Sequence, residues 1–471
     1  MTKRIAFLLL PFILLFSTIP AHAQTPTPPP GPVYIVREGD TLWAIAVRFG
    51  ISVDDILAAN GLTTGDIYPG DRLVIPGLTG ITGTLTSQTV AYGENLRSIV
   101  RQYQFDQTTL GKLNHIISPT ELYAGAKLIV VEQEDKPALT ARANIGTGET
   151  LLELAVRENT DPWTIASLNG LSGIWDSLPE DVLYLPGGTS IAQPTGLPAI
   201  FGSVEVNPLP LVQGITAQIK ITPTGEATLG GILADKPLHF FPTENGANVA
   251  LQGVHALAEP GLYPLRIEAT LPNGTTQSFE QMVLVASGGY PQDSLLYVEP
   301  SLIDPAVTAP ELQQIEALVQ PATPDRLWSG GFISPASAYA DSTYFTSRFG
   351  YRRTYIGLGT DIQVFGFHTG LDFGGGTGLP IEVPAAGRVI FAGPLTVRGN
   401  ATIIDHGWGV YSGFWHQSEI QVQVGDMVEK GQVIGLVGGT GRVTGPHLHW
   451  EIWVNGIQVD PLQWLNEPFP H

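Results

Sequence analysis

The histidines are the side chains best suited to chemistry here, and they are unevenly spread. Of ten in the chain, five fall between positions 368 and 449: His368-Thr-Gly-Leu-Asp372, His406, Trp415-His416 and Pro446-His447-Leu448-His449. Imidazole is the commonest ligand for a divalent ion at a hydrolytic site, and a catalytic zinc takes three protein ligands and keeps a fourth position for water. His447 and His449 are two apart in a run that continues as Trp450-Glu-Ile-Trp-Val454 and reads as a strand. Residues i and i+2 of a strand face one side, so both imidazoles enter one groove, where one can bind metal while the other faces substrate. The glycines at 366, 370 and 374–376 place His368 and Asp372 on a turn or irregular segment. His406, in Asp405-His-Gly-Trp408, reads as a structural turn histidine bonded to backbone. His115, His239 and His255 are scattered and carry no role.

The elements that position these groups follow from composition. A chain of 471 residues has length for about three domains. With 55 Gly and 38 Pro against only 14% charged residues, it favours turns, short strands and linkers over long helices. The formal charge of −20 excludes nucleic acid as a partner and argues against electrostatic capture by anionic lipid. Without cysteine, neither disulfides nor thiolate chemistry are possible.

The basic start Met1-Thr-Lys-Arg4, the apolar run over 5–20 and the end Ala21-His-Ala23 read as a secretory signal peptide over 1–23. No stable membrane insertion is expected after its cleavage, which gives a secreted protein of the cell wall or envelope. Residues 24–32 form a stiff Pro-rich linker. An internal repeat follows. Gly39-Asp40-Thr41-Leu42 recurs as Gly93-Glu94-Asn95-Leu96 and Gly148-Glu149-Thr150-Leu151, with Asn60, Asn114 and Asn169 in step. Each copy reads as β-α-α-β, over 33–77, 87–132 and 141–187. In the first, Leu42, Ile45, Ala46 and Phe49 share a helix face, and Ser52, Asp106 and Asp161 are good N-caps for the second helices.

Over 198–289 the texture changes to short alternating runs with the turn signal Pro272-Asn-Gly274, which predicts a β-sandwich of immunoglobulin-like type. Residues 290–342 read as a linker with one helix over 309–319.

Two resemblances now become specific. Tyr34-Ile-Val-x-x-Gly-Asp-Thr-Leu42, Asn60-Gly61-Leu62 and Tyr68-Pro-Gly-Asp-x-Leu-x-Ile-Pro76 resemble a LysM module. In copy two His115 replaces the glycine, and in copy three Pro179-Glu180 stands where the first has Pro69-Gly70. The resemblance implies binding of N-acetylglucosamine-containing glycan, with Gly39, Asp40, Thr41, Leu42, Asn60, Gly61 and Leu62 as the candidate contacts. Linked weak sites would gain through effective concentration on a polymeric wall.

Residues 343–465 resemble the lysostaphin-type (LytM-like) zinc metallopeptidases. The match is carried by Ser347-Arg-Phe-Gly-Tyr-Arg352, His368-Thr-Gly-Leu-Asp372, Ile404-Asp-His-Gly407, His416, 424–435 and Thr440-Gly-Arg-Val-Thr-Gly-Pro-His-Leu-His449. It implies a mainly antiparallel β domain with a groove, one zinc held by His368, Asp372 and His449, and a catalytic pair His416 and His447. Phe414-Trp415-His416-Gln417 departs from the family's usual Tyr-Ala-His-Leu, and Tyr351 and Tyr355 are both candidates for a transition-state tyrosine. The implied activity is a zinc endopeptidase cutting peptidoglycan cross-links or stems, the peptide part lying in the groove and the glycan on the LysM modules. The competing reading is a non-catalytic wall-binding scaffold that activates another hydrolase.

Overall fold

The computed structural model describes residues 31–115, 122–133, 136, 138–146, 148–178, 181–187, 195–340 and 345–471. The expected signal peptide, most of the Pro-rich linker and Pro179-Glu180 lie outside the described residues. No helix among the described residues is long and apolar enough to cross a membrane. The chain forms two compact units, divided after Leu85.

The first unit contains β1 (Val33–Ile35), α1 (Leu42–Phe49), α2 (Val53–Asn60) and β2 (Arg72–Val74), with β1 antiparallel to β2. Local chemistry sets its boundaries. Thr41 caps α1 by accepting from the Ala44 amide at 3.1 Å, and Ser52 with Asp55 forms a capping box on α2. The expected apolar face of α1, Leu42, Ile45, Ala46 and Phe49, is buried.

The same β-α-α-β order recurs twice. The second copy runs β3 (Thr84–Thr89), α3 (Leu96–Tyr103), α4 (Gln107–Asn114) and β4 (Lys127–Glu132). The third runs β5 (Ala141–Asn144), α5 (Leu151–Arg157), α6 (Pro162–Leu168) and β6 (Val182–Leu185). The recurring asparagine has one job in all three. Asn60 donates to the Ile56 and Val74 carbonyls and accepts from the Val74 amide at 2.7–2.9 Å. Asn114 does the same with Leu110 and Ile129, and Asn169 with Ile165 and Tyr184. Each amide clamps a helix end to the closing strand.

Two sheets follow. One orders β11 (Lys236–Pro237), β10 (Thr228–Leu233), β14 (Gly261–Thr270), β15 (Thr276–Ala286) and β8 (Leu211–Val212). The other orders β12 (Phe241–Pro242), β13 (Asn248–Gly253), β9 (Thr216–Pro223) and β7 (Phe201–Asn207). Val204, Ile219 and Ile221 of one share a core with Leu265, Ile267 and Val283 of the other. The second repeat is built into this body. Tyr92 is buried in that core, and Ala124 exchanges backbone hydrogen bonds with Met282 and Leu284.

The remaining strands carry the histidines. A sheet orders β19 (Leu371–Gly374), β27 (His447–Val454), β23 (Val410–Gln417), β22 (Gly399–Gly407), β21 (Gly387–Leu395) and β25 (Met427–Val428), with β28 (Ile457–Val459) also paired to β27. A small sheet of β20 (Pro380–Glu382), β26 (Val433–Leu436) and β24 (Glu419–Ile420) completes the domain, which ends in α8 (Pro461–Asn466).

The segment expected as a linker is not a free tether. β16 (Leu296–Val298) joins β17 (Arg352–Gly357) and β18 (Gln363–Phe367) in a three-stranded sheet, and Trp328, Phe332 and Ala336 lie in the same core as Leu371, Phe373 and Trp450. Its helix α7 (Pro305–Val319) starts earlier than expected because Asp304 caps it and Pro305 takes the first helical position. Ile315 and Val319 pack on Ala401, Ile403, Tyr411, Trp415 and Trp453.

Candidate metal centre and active site

Strand pairing brings the expected ligands together. Asp372 on β19 lies directly opposite His449 on β27, and His368 reaches them from the turn between β18 and β19. Gly370 permits the approach, because a Cβ there would meet the Trp450 carbonyl oxygen at 2.2 Å. His368, Asp372 and His449 are all buried, with side-chain ligand atoms within 4.8 Å of one another. Asp372 Oδ1 is 3.0 Å from His368 Nε2 and 2.7 Å from His449 Nδ1, and the two nitrogens are 3.0 Å apart.

The donor set fits a divalent cation. His368 Nδ1 faces the Arg348 carbonyl at 2.8 Å, and His449 Nε2 faces the Glu451 carboxylate at 3.2 Å. Both partners only accept, so the ring protons belong on those outer nitrogens and the lone pairs of the inner nitrogens meet a carboxylate oxygen. Three converging lone pairs repel unless a cation stands among them. Burial alone would raise the Asp372 pKa, but His368 and His449, when protonated, outweigh it and hold the carboxyl well below its usual range; a bound cation would take the place of those protons.

Glu451 is a functional residue that the sequence reading missed. Its buried carboxylate accepts from Thr369 Oγ1 at 2.6 Å, Trp453 Nε1 at 2.8 Å and Gln458 Nε2 at 3.1 Å, besides His449. Burial opposes its charge, but these bonds and Arg398 win and bring its pKa down to about 2. The signal was present: Glu451 stands two residues past His449, on the same strand face.

His416 and His447 complete the cluster. Their ring centroids are 5.0 Å apart, and His416 lies 6.1 Å from His449. Simple alternation would point His416 away, since Trp415 is the residue paired with His449. A register shift near the end of β23, with His416 at φ 64°, turns it back toward the cluster. Its Nδ1 donates to the Thr440 carbonyl at 2.8 Å, and His447 Nδ1 donates to the Gly445 carbonyl at 2.8 Å, leaving Nε2 of each as the acceptor. Burial, then the neighbouring His449 and His447, push the His416 pKa down to about 3, so it is neutral at ordinary pH. All five residues line one cleft of about 730 Å³, together with Tyr355, Arg398 and Arg442. Of the two candidate tyrosines, Tyr355 lines it; Tyr351 instead gives its backbone carbonyl to the His368 amide.

His406 lies apart, fully buried. It donates from Nδ1 to the Ala386 carbonyl and accepts at Nε2 from Ser412, both at 2.8 Å. On the first repeat, the residues expected to contact glycan differ in their surroundings. Leu42 is buried in the core, and the Asn60 side chain is held by backbone. Asp40 accepts from Tyr34 and the Arg37 amide, while Gly39, Thr41 and Gly61 are exposed and Leu62 half-buried.

Comparison with known proteins agrees with this division. Over 133 residues the chain is 39% identical to the DD-carboxypeptidase/endopeptidase Mpg of Neisseria meningitidis, covering 28% of this chain and 29% of that protein. Over 96 residues it is 41% identical to the peptidoglycan DD-endopeptidase ShyA of Vibrio cholerae, covering 20% and 22%. The chain thus spans under a third of the length of either relative. Among solved structures, the catalytic domain of the antimicrobial peptidase lysostaphin from Staphylococcus simulans aligns at 33% identity, covering 22% of this chain and 81% of that one, with a TM-score of 0.21. Residues 366–461 match Peptidase family M23, and residues 34–76 and 89–131 match the LysM domain. The protein therefore carries a peptidase M23 domain, in which the buried histidine–aspartate cluster lies, together with LysM domains.

Proposed function

We propose that the protein is a secreted, zinc-dependent endopeptidase that cleaves peptidoglycan cross-links or stem peptides and is held on the wall by its LysM modules. The third β-α-α-β copy is read as a further LysM-like module, and the two-sheet body as an immunoglobulin-like spacer. The observation that carries this reading is the juxtaposition of His368, Asp372 and His449 with His416 and His447 in one cleft. A non-catalytic scaffold would need neither the three ligand atoms nor two more imidazoles beside them.

A zinc ion held by His368, Asp372 and His449 would lower the pKa of water towards about 7 and polarise the scissile carbonyl. The chain's own residues do the rest. One of His416 and His447, neutral at Nε2, takes a proton from the attacking water. The water oxygen joins the carbonyl carbon, the C–N bond breaks, and the leaving amine receives the proton. The other imidazole, when it carries a proton on Nε2 as well as on Nδ1, donates to the developing oxyanion.

Purified protein should contain one zinc per chain, clear suspended peptidoglycan, lose that activity to a chelator and regain it with zinc. Mass spectrometry of the released fragments identifies the bond. A zinc-loaded protein that releases no fragment, yet stimulates a second hydrolase, would establish the scaffold instead.

A further inference from the structure

Arg442 is a half-buried cation of the cleft that lacks a carboxylate partner among the described residues. It lines the same cleft as the metal cluster, with its guanidinium 4.5 Å from the centre of the Tyr355 ring and its Nη1 donating to the Leu302 carbonyl at 3.0 Å. A neutral carbonyl satisfies one N–H but leaves the charge unbalanced. The neighbouring cations are accounted for: Arg398 pairs with Glu311 at 3.2 Å, and Arg353 lies 3.6–3.7 Å from Asp293 and Asp372. The carboxylates of the cleft are also committed or remote. Asp372 belongs to the metal cluster, Glu451 holds His449, and Glu316 sits exposed on α7.

Two more donors point the same way. Arg398 Nε and Trp415 Nε1 are buried and have no hydrogen-bond partner, and both residues line the cleft. The cleft thus gathers three arginines, Arg353, Arg398 and Arg442, in a chain whose formal charge is −20. Burying a guanidinium without a counter-charge is costly unless a ligand supplies one.

Position narrows the ligand. Arg442 stands between Thr440, whose carbonyl holds His416, and His447, and its amide is fixed to the Val397 carbonyl at 2.8 Å. An anion taken there shares the cleft with the metal cluster. Resting on the peptidase reading above, we propose that Arg442 is a specificity-determining residue that binds a free α-carboxylate on a residue flanking the scissile bond. A planar guanidinium matches a carboxylate with two parallel hydrogen bonds. Cross-links through diaminopimelic acid and chain-terminal residues offer such a carboxylate; cross-links through lysine and an internal glycine bridge do not.

The test uses the full zinc-loaded chain and two synthetic peptides. Each has a D-alanyl group on the side-chain amine of diaminopimelic acid, and they differ only in whether the carboxylate next to that amine is free or a carboxamide. The free acid should be preferred in kcat/KM by roughly 10- to 100-fold, the worth of one hydrogen bond to a charged group. In Arg442→Met that ratio should collapse towards one, while Arg442→Lys should keep an intermediate ratio. Affinity of the metal-free chain for the free acid, measured by calorimetry, should fall in parallel. Equal cleavage of both peptides by the unmodified protein overturns the assignment and leaves the peptidase reading standing, and this needs no variant to fold. Cleavage of neither peptide, nor of whole peptidoglycan, overturns both. A ratio unchanged in a folded, metal-loaded Arg442→Met protein shows that another group reads the carboxylate.

Discussion

The repeats and the M23 domain teach opposite lessons about reading function from residues. In the repeats, a polar residue that recurs in every copy, asparagine at 60, 114 and 169, ties helix to strand each time. In the M23 domain, the five residues of the cluster come from three separate segments, yet they converge on one cleft. Recurrence within a chain marks what a small fold needs to close. Convergence of unlike polar groups in a buried place marks what chemistry needs, because such groups are costly to bury otherwise.

The sharpest way to break this comparison is to remove the convergent residues. His416→Ala and His447→Ala should each keep the metal and the fold while lowering turnover by roughly 10²–10⁴-fold. Metal content and kcat on a soluble peptide are the readouts. Loss of metal from either variant would make that residue a ligand and collapse the distinction between holding and reacting groups.

A smaller effect is expected one step outward. Glu451→Gln keeps shape and removes the charge that holds His449, so metal affinity should fall by about 10- to 100-fold, as for other residues that orient a ligand. Competition with a chelator of known affinity measures it. An unchanged affinity would mean that the strand alone orients the imidazole.

The smallest effect concerns the repeats. Asn169→Ala, in the copy where this side chain is fully buried, should lower stability by about 1–3 kcal/mol, since it strands backbone groups of Ile165 and Tyr184. Asn60→Ala in its half-buried copy should cost less. If Asn60→Ala instead weakens peptidoglycan pull-down at unchanged stability, the residue touches glycan and the structural reading of recurrence fails there. Deletion of residues 33–186, a natural cut from sequence, is a poor test because Tyr92 and Ala124 belong to the following body. Removal of the first repeat alone avoids that damage.

Much of the site was legible in sequence. His447 and His449 share a face because strands alternate with period two, and the nearby glycines marked the turn at His368, though Asp372 lies on a strand rather than on the irregular segment expected. What alternation cannot show is where it is interrupted. His416 reaches the cleft only through a register shift, and nothing in Phe414-Trp415-His416-Gln417 signals that shift locally. The fold was legible in its helices, whose caps Thr41, Ser52 and Asp161 are local. It was less so over 290–342, where Gly and Pro suggested a tether. The contacts of Trp328 and Phe332 with Trp464, more than 130 positions away in the chain, lie beyond any local pattern.

The backbone at His416 has a consequence for how this domain can change. A residue with a Cβ in the left-handed region sacrifices about 1–2 kcal/mol relative to one at ease there. Selection for stability alone would place glycine at 416, which adopts that conformation freely. If His416 reacts as proposed, position 416 is a point of conflict between durability and activity. A copy of this domain freed from catalysis would drift toward glycine or asparagine there first, becoming more stable as it fell silent.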